Sequence, residues 1–387
     1  MPSLSLCFHI HQPYRLRRVS FFEARQAGEC FDAQLNRSII ERISTRCYEP
    51  AFAALKRCID SYGAAFGCAF SITGVAVEQL RDYVPKTLES FARLTQNPCV
   101  ELLGETYYHS LASMLVDEGE FAYQVQLHRD LMQKEFGAST KVFRNTELIY
   151  SDSIAARVSA LGFSGIVAEG IPEMLTGLPA HQVYTARDSG IRVITRDFMA
   201  SDEIGFRFVA HHRGGRGLTA QEFVRYLDAH TKGDGHVCIY VDFETFGEHV
   251  AQSTGILSFL EELPGELLKT NRWTCITPSE ALDQMPVAGV VSAPCERSWA
   301  DSERDTSAWL GNSMQKRAFE QLYGMRDTAD GELMTWRRLQ TSDHLYYMSL
   351  KSSGDGEVHK HFSPYESPYD AFITYMNALR MLEVIHD

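Results

Sequence analysis

HVCIYVDFETFGEH, residues 236–249, is the stretch whose reading decides the fold. Residues 237–241 form a continuous apolar run rich in β-branched side chains, which predicts a strand buried on both faces, as in a parallel sheet. Polarity then arrives at once in Asp242, Glu244, Thr245, Glu248 and His249, with Gly247 free to turn the chain. An ionised carboxylate brought toward a low-dielectric interior costs on the order of several kcal/mol unless it is paired or hydrogen-bonded. Either these acids cap the next helix and bind backbone amides, or they do chemistry at the end of a strand.

Working outward, strand-like and helical stretches alternate along most of the chain. Residues 3–10 read as the first strand, closed by His11-Gln12-Pro13, and 64–72, 99–103, 141–144 and 165–168 as further strands. Helical periodicity covers 77–94, 118–136, 153–161 and 222–231, and residues 183–185 and 191–195 flank a turn at 188–190. A last strand at 274–276 leads into Thr277-Pro278-Ser279-Glu280, a helix start with proline in its first turn. Such β-then-α alternation predicts a parallel sheet with crossover helices, and about seven units suggest closure into a TIM-like barrel.

No dinucleotide or P-loop glycine pattern is present, and the basic run 211–216 reads as a solvated loop. Composition shifts at residues 287–294, which read as a Val/Gly/Ala/Pro linker. Beyond it, 312–329, 332–349 and 369–385 carry helical periodicity, separated by residues 330–331 and 352–368, and predict a three-helix bundle. The expected division is therefore a catalytic barrel over 1–286 and a helical domain over 287–387.

The 387 residues have a formal net charge of −13, which argues against nucleic acid or an anionic membrane as partner and fits a neutral substrate. The nine cysteines are odd in number and show no C-x-x-C spacing, and several lie in apolar runs. They read as free buried thiols of a reducing cytoplasm. The opening apolar stretch is short and interrupted by His9 and His11, so no signal peptide is expected, and no apolar run is long enough to span a membrane.

Active sites of such barrels lie at the carboxyl ends of the strands. His9 and His11 fall there, as do Glu105, Tyr107, Tyr108 and His109, then Arg144, Asn145 and Glu147, then Glu169, then Arg196 and Asp197, and finally Asp242 and Glu244. Two chemistries use a rim of this kind. Glycoside hydrolysis needs one carboxylate as nucleophile or base and a second carboxyl held protonated as acid. A metal site could instead draw on His9, His11, His109 and an acid, since His-x-His on a strand points both rings the same way. Gln12-Pro13 after the histidines favours hydrogen bonding to a ligand, and the expectation is no metal and no cofactor.

Five segments carry a resemblance: HIHQP at 9–13, ELLGETYYH at 101–109, FRNTELIY at 143–150, YVDFETFGEH at 240–249 and SWADSERDTSAWLGN at 298–312. In this order they resemble the five sequence regions of glycoside hydrolase family 57, and the compact length resembles its α-amylase-like members. The resemblance implies a (β/α)7 barrel, an incomplete TIM-like barrel, followed by a C-terminal helical bundle, and a retaining mechanism on α-1,4-glucans. It places the nucleophile at Glu147 and the general acid/base at Asp242. His11 and His109 would contact the sugar beside the nucleophile, and Trp299, Asp301 and Trp309 would belong to the region where the helical domain walls the cleft. His9, Gln12, Glu105, Tyr108, Arg144, Glu244 and His249 complete the candidate substrate-binding set.

The roles make physical sense on their own terms. A retaining pair needs carboxyls about 5–5.5 Å apart. Glu147 must stay ionised, with Arg144 or a histidine holding its pKa down, while burial and the charge of Glu147 raise that of Asp242. Tyr107 and Tyr108 fit either core packing or the site, and Trp299 and Trp309 either a buried interface or a sugar platform. The expectation is an α-amylase-type hydrolase acting on an α-glucan or maltooligosaccharide. Its rivals are a 4-α-glucanotransferase, a zinc-dependent deacetylase or glycosidase, and a catalytically silent glucan-binding protein.

Overall fold

The computed structural model describes residues 1–18, 20, 30–210, 216–326 and 332–384. Among these residues are ten strands: β1 Ser3–Ile10, β2 Cys68–Ile72, β3 Val100–Leu102, β4 Val142–Arg144, β5 Gly165–Glu169, β6 Val183–Ala186, β7 Arg192–Arg196, β8 His236–Asp242, β9 Thr274–Cys275 and β10 Val287–Val291. Every residue of β1 and β2 is buried, as is all of β8 up to Asp242, which is what strands covered on both faces require.

Seven of the strands close a parallel ring. β1 sits between β8 and β2, β2 pairs β3, β4 pairs β5, and β5 pairs β7. The two remaining joins are thin: Gly104 beyond β3 bridges Phe143 of β4, and Arg196 of β7 meets Cys238 of β8. β9 pairs the first residues of β1. β6 runs antiparallel to β7 and, with β10 beside it, extends the sheet outside the ring. The lumen is filled by Cys7, Ala69, Leu103, Val142, Val167, Ile194, Cys238 and Tyr240. The helix Pro278–Gln284 closes its lower end, placing Leu282 against Gly165 at the start of β5. This is the expected (β/α)7 barrel.

Several local expectations change. The span 77–94 is two helices, Gly74–Tyr83 and Pro85–Thr95, because Pro85 cannot continue the first. Residues 63–65 form a short 3-10 turn, so β2 begins only at Cys68. Residues 287–291 are strand β10, not a linker; its outward Val287 and Val290 are exposed, which hides the burial pattern of a strand. The C-terminal part is more than three helices: Ser307–Leu310, Ser313–Gly324, Leu333–Leu339, Asp343–Tyr346, Ser353–Phe362 and Pro368–Val384. A turn at 340–342 breaks the expected 332–349 helix, and the expected separator 352–368 holds a helix of its own. The basic loop at 211–215 and the separator at 330–331 lie outside the described residues.

One apolar core joins the barrel to these helices, running from Phe143, Ile154, Tyr184 and Val193 to Trp309, Trp336, Leu345 and Tyr375. The barrel's other flank packs around Phe8, Phe52, Phe70 and Phe243. All nine cysteines are free, seven of them buried. Among the described residues no helix is long and apolar enough to cross a membrane.

Candidate active site

Register assembles the rim. His9 on β1 pairs Ser71 on one side and Asp242 on the other, so three polar side chains stand in one row at the top of the ring. His9 Nδ1 lies 2.8 Å from Ser71 Oγ, which lies 2.6 Å from the Tyr240 hydroxyl. Burial and the Arg144 charge hold the His9 pKa well below its ordinary value, so this ring is neutral.

Glu147 sits in the turn 146–148 that follows β4, and its backbone is left-handed, with φ of 55°. Its carboxylate is the most heavily supported group of the rim. His109 Nε2 lies 3.1 Å from Oε1, Ser342 Oγ donates to Oε1 at 3.2 Å, and Trp299 Nε1 donates to Oε2 at 2.7 Å. Burial alone pushes the Glu147 pKa up; the His109 hydrogen bond and charge, helped by Arg144, overcome it and hold the group below its usual value. Asp242 goes the other way. Burial first, then the negative charge of Glu147, pushes its pKa up to about 6 against the pull of Arg144, His109 and Arg196. One carboxyl is held toward its ionised form and the other's affinity for a proton is raised, which is the division a glycosidase pair needs.

His109 connects the layers. Its ring stacks on His11 at 4.1 Å and on His9 at 4.9 Å between centroids, and Nδ1 faces Glu105 Oε2 at 3.7 Å. Burial lowers its pKa, but Glu105 and Glu147 together raise it to about 9, so an imidazolium bridges two carboxylates at neutral pH. His11 Nε2 lies 3.0 Å from Asp343 Oδ2 and Nδ1 2.9 Å from Thr73 Oγ1. Against its burial, His11 and the other histidines hold Asp343 far below the ordinary carboxyl range.

Two trios here have metal-ligand chemistry, His9–Glu105–His109 and His11–His109–Asp343. Both need His109. Its Nε2 is already engaged by Glu147 Oε1 at 3.1 Å, so a cation in either trio would compete for that ring. Arg144 adds a further positive charge: it is fully buried, all three guanidinium nitrogens lack a hydrogen-bond partner among the described residues, and Cζ stands 4.9 Å from the Trp299 ring centre. Arg144 and His109 are the positive charges set against Glu105 and Glu147.

The remaining expected residues separate into those at the rim and those that serve the frame. Glu244 lies beyond β8 in the turn 243–245, where it accepts from the Tyr48 hydroxyl at 2.5 Å and from Gln12 Nε2 at 3.2 Å. Burial and then Asp242 push its pKa up to about 7. Glu105 is wholly buried beneath the histidines, so a sugar cannot touch it. Tyr108 packs on Tyr107, whose hydroxyl donates to Glu78, away from the carboxyl pair. Asp301 is engaged by Lys351 at 2.7 Å and His359 at 3.0 Å. Trp309 is fully buried in the shared core and presents no face to a ligand. His249 contacts Phe362 and His361 of the helix 353–362. Asp197, on the expected rim, instead caps the helix Phe198–Gly205 and holds His181. Ser71, Thr73, Ser342 and Asp343 escaped the sequence reading. The last two carried a signal only in hindsight, as polar residues at the break of an expected helix.

A strand-end rim with a split carboxyl pair on a (β/α)7 ring fits the class of carbohydrate-active barrel enzymes. The sequence profile of glycosyl hydrolase family 57 matches residues 5–294, and the chain belongs to that family. It is 38% identical over 392 residues, 96% of this chain and 82% of the relative, to a Methanocaldococcus jannaschii protein named "Putative alpha-amylase". The fold is shared with the family 57 branching enzyme of Pyrococcus horikoshii, with a TM-score of 0.70 at 15% identity over 98% of this chain and 88% of that one. It is also shared with the 4-α-glucanotransferase of Thermococcus litoralis, with a TM-score of 0.65 at 16% identity over 89% of this chain. The chain spans 56% of that glucanotransferase's length.

Proposed function

We propose that the protein cleaves α-1,4-glucosidic bonds of an α-glucan or maltooligosaccharide by double displacement, with Glu147 as nucleophile and Asp242 as acid/base. The observation that carries the reading is the opposite treatment of the two carboxyls. Three polar partners hold Glu147 toward its ionised form, whereas burial beside that charge raises the pKa of Asp242 to about 6. In the first half-reaction Glu147 attacks the anomeric carbon while Asp242 gives its proton to the departing glycosidic oxygen. In the second, Asp242 takes a proton from the incoming water or sugar hydroxyl, which displaces Glu147 with net retention. His11 and Glu244 flank the pair and are the candidate contacts to sugar hydroxyls. The membership in family 57 and the named amylase relative support this substrate class. Free, buried thiols suit a cytoplasmic setting.

The deciding experiment divides labour between the acids. Glu147→Gln should abolish activity on every α-glucoside. Asp242→Asn should lose about 10²–10⁴-fold on maltoheptaose yet still glycosylate from α-glucosyl fluoride, and azide should then give α-glucosyl azide. Azide rescue in Glu244→Gln and none in Asp242→Asn would move the acid/base role to Glu244. Products of maltoheptaose shorter than seven sugars alone indicate hydrolysis; products longer than seven indicate glucanotransferase activity.

A further inference from the structure

Behind Trp299 lie four charged side chains that the double displacement does not use. Arg196, at the end of β7, donates from Nη1 to Glu169 Oε2 at 3.0 Å, from Nη2 to Asp202 Oδ1 at 2.8 Å and from Nε to the Tyr240 carbonyl at 2.8 Å. Arg304, from the loop 298–306, donates from Nη1 to Glu169 Oε2 at 3.2 Å and to the Trp299 carbonyl at 2.8 Å, with Nη2 3.6 Å from Asp202 Oδ2. Two cations and two anions offset one another, so the cluster has no charge left for an ionic ligand. Nor is a buried ion cluster an efficient source of stability, because desolvation consumes much of the attraction. What it can supply is geometry.

The loop itself shows where that geometry is applied. Asp301 and Arg304 both have left-handed backbones, with φ of 55° and 54°. For non-glycine residues this is strained backbone, and it persists only where the surroundings over-determine it. The residue held between them and the barrel is Trp299. Its amide N–H reaches the Glu147 carbonyl at 3.3 Å, its carbonyl is held by Arg304, and the guanidinium carbons of Arg144 and Arg196 stand 4.9 and 5.6 Å from its ring centre. Its indole N–H then has one place to go, the 2.7 Å bond to Glu147 Oε2.

We propose that Arg304, braced by Glu169 and Asp202, is a positioning residue for the nucleophile: it fixes Trp299 so that the indole N–H orients the Glu147 carboxylate. The proposal rests on the reading of Glu147 as nucleophile. It gives Trp299 a job other than an interface filler or a sugar platform, and gives a loop after the barrel control over the reacting group.

The test compares Trp299→Phe, Arg304→Met, Arg304→Lys and the double variant Trp299→Phe/Arg304→Met by kcat, KM and pH profile on maltoheptaose. Loss of one hydrogen bond to a carboxylate should lower kcat about 10–100-fold, with KM changed less than about threefold and the acidic limb of kcat/KM moved up by about one pH unit. The double variant should be no slower than Trp299→Phe, because both changes remove the same hydrogen bond. Arg304→Lys, which keeps a donor and the charge, should recover most of the rate. If Arg304→Met fails to fold, Asp202→Asn and Arg304→Lys must show the limb shift in milder form. A fall in thermal stability with an unmoved acidic limb, or additive losses in the double variant, would overturn the proposal. An active Glu147→Gln enzyme would instead overturn the nucleophile assignment beneath it, so the two failures are distinguishable.

Discussion

His109 stands between two acids, its Nε2 bonded to Glu147 and its Nδ1 3.7 Å from Glu105, and two measurements follow from that. Its folded-state pKa is raised to about 9 from an ordinary value of about 6.5. The stability it contributes is therefore fully present below about pH 6.5 and is lost as pH rises through about 9. The melting temperature should fall across that window, and in Glu105→Gln the fall should begin at lower pH; parallel curves for the two proteins would remove Glu105 from the bridge. Activity follows a different window. Glu147 is held below its usual pKa and Asp242 is pushed up to about 6, so the productive form, ionised Glu147 with protonated Asp242, dominates between those values. The kcat/KM profile should be a bell with its basic limb near pH 6, reporting the coupled pair. A limb above about pH 8 would mean that the proton sits elsewhere. The acids of the rim were legible in the sequence, because carboxyls directly after apolar strands have few structural reasons to be there; singling out Glu147 and Asp242 among them rested on the resemblance to family 57. The partners that tune that pair were less legible. Ser342 and Asp343 join the site from another part of the chain, and no local pattern marks a contact made only by tertiary folding.

Between elements, the turn after β8 sets how Glu244 and Asp242 share their corner. Gly247 has φ of 134°, and a Cβ there would lie 2.1 Å from the Arg46 carbonyl. Gly247→Ala should cost at least about 1–3 kcal/mol in chemical denaturation and reduce kcat by moving Glu244; an unaltered enzyme would show that this turn is slack. The strands were readable because continuous apolar runs such as CIYV admit few alternatives in a doubly covered sheet. The misreadings have equally definite causes. Pro85 splits 77–94 without ending the apolar stripe, since proline is well tolerated as a first helical residue. Residues 287–291 belong to a half-exposed strand outside the ring, where neither continuous burial nor clean alternation applies.

For the whole molecule, the expected division at 286/287 meets a core that crosses it, with Tyr184 and Val193 in the same cluster as Trp309 and Trp336. We expect a chain ending at residue 286 to expose that face and fail to fold cooperatively, judged by a broad, low-amplitude thermal transition; a sharp two-state melt would establish the barrel as an independent unit. The support of Glu147 also has a bearing on time. His109, Trp299 and Ser342 all reach its carboxylate, and the last two can do so only after most of the chain has left the ribosome and the post-barrel segment has docked. Contacts spanning such sequence distances close late. The growing polypeptide therefore carries a rim that stays unarmed while helices and strands accumulate, and in refolding from denaturant, activity should return after the far-ultraviolet signal.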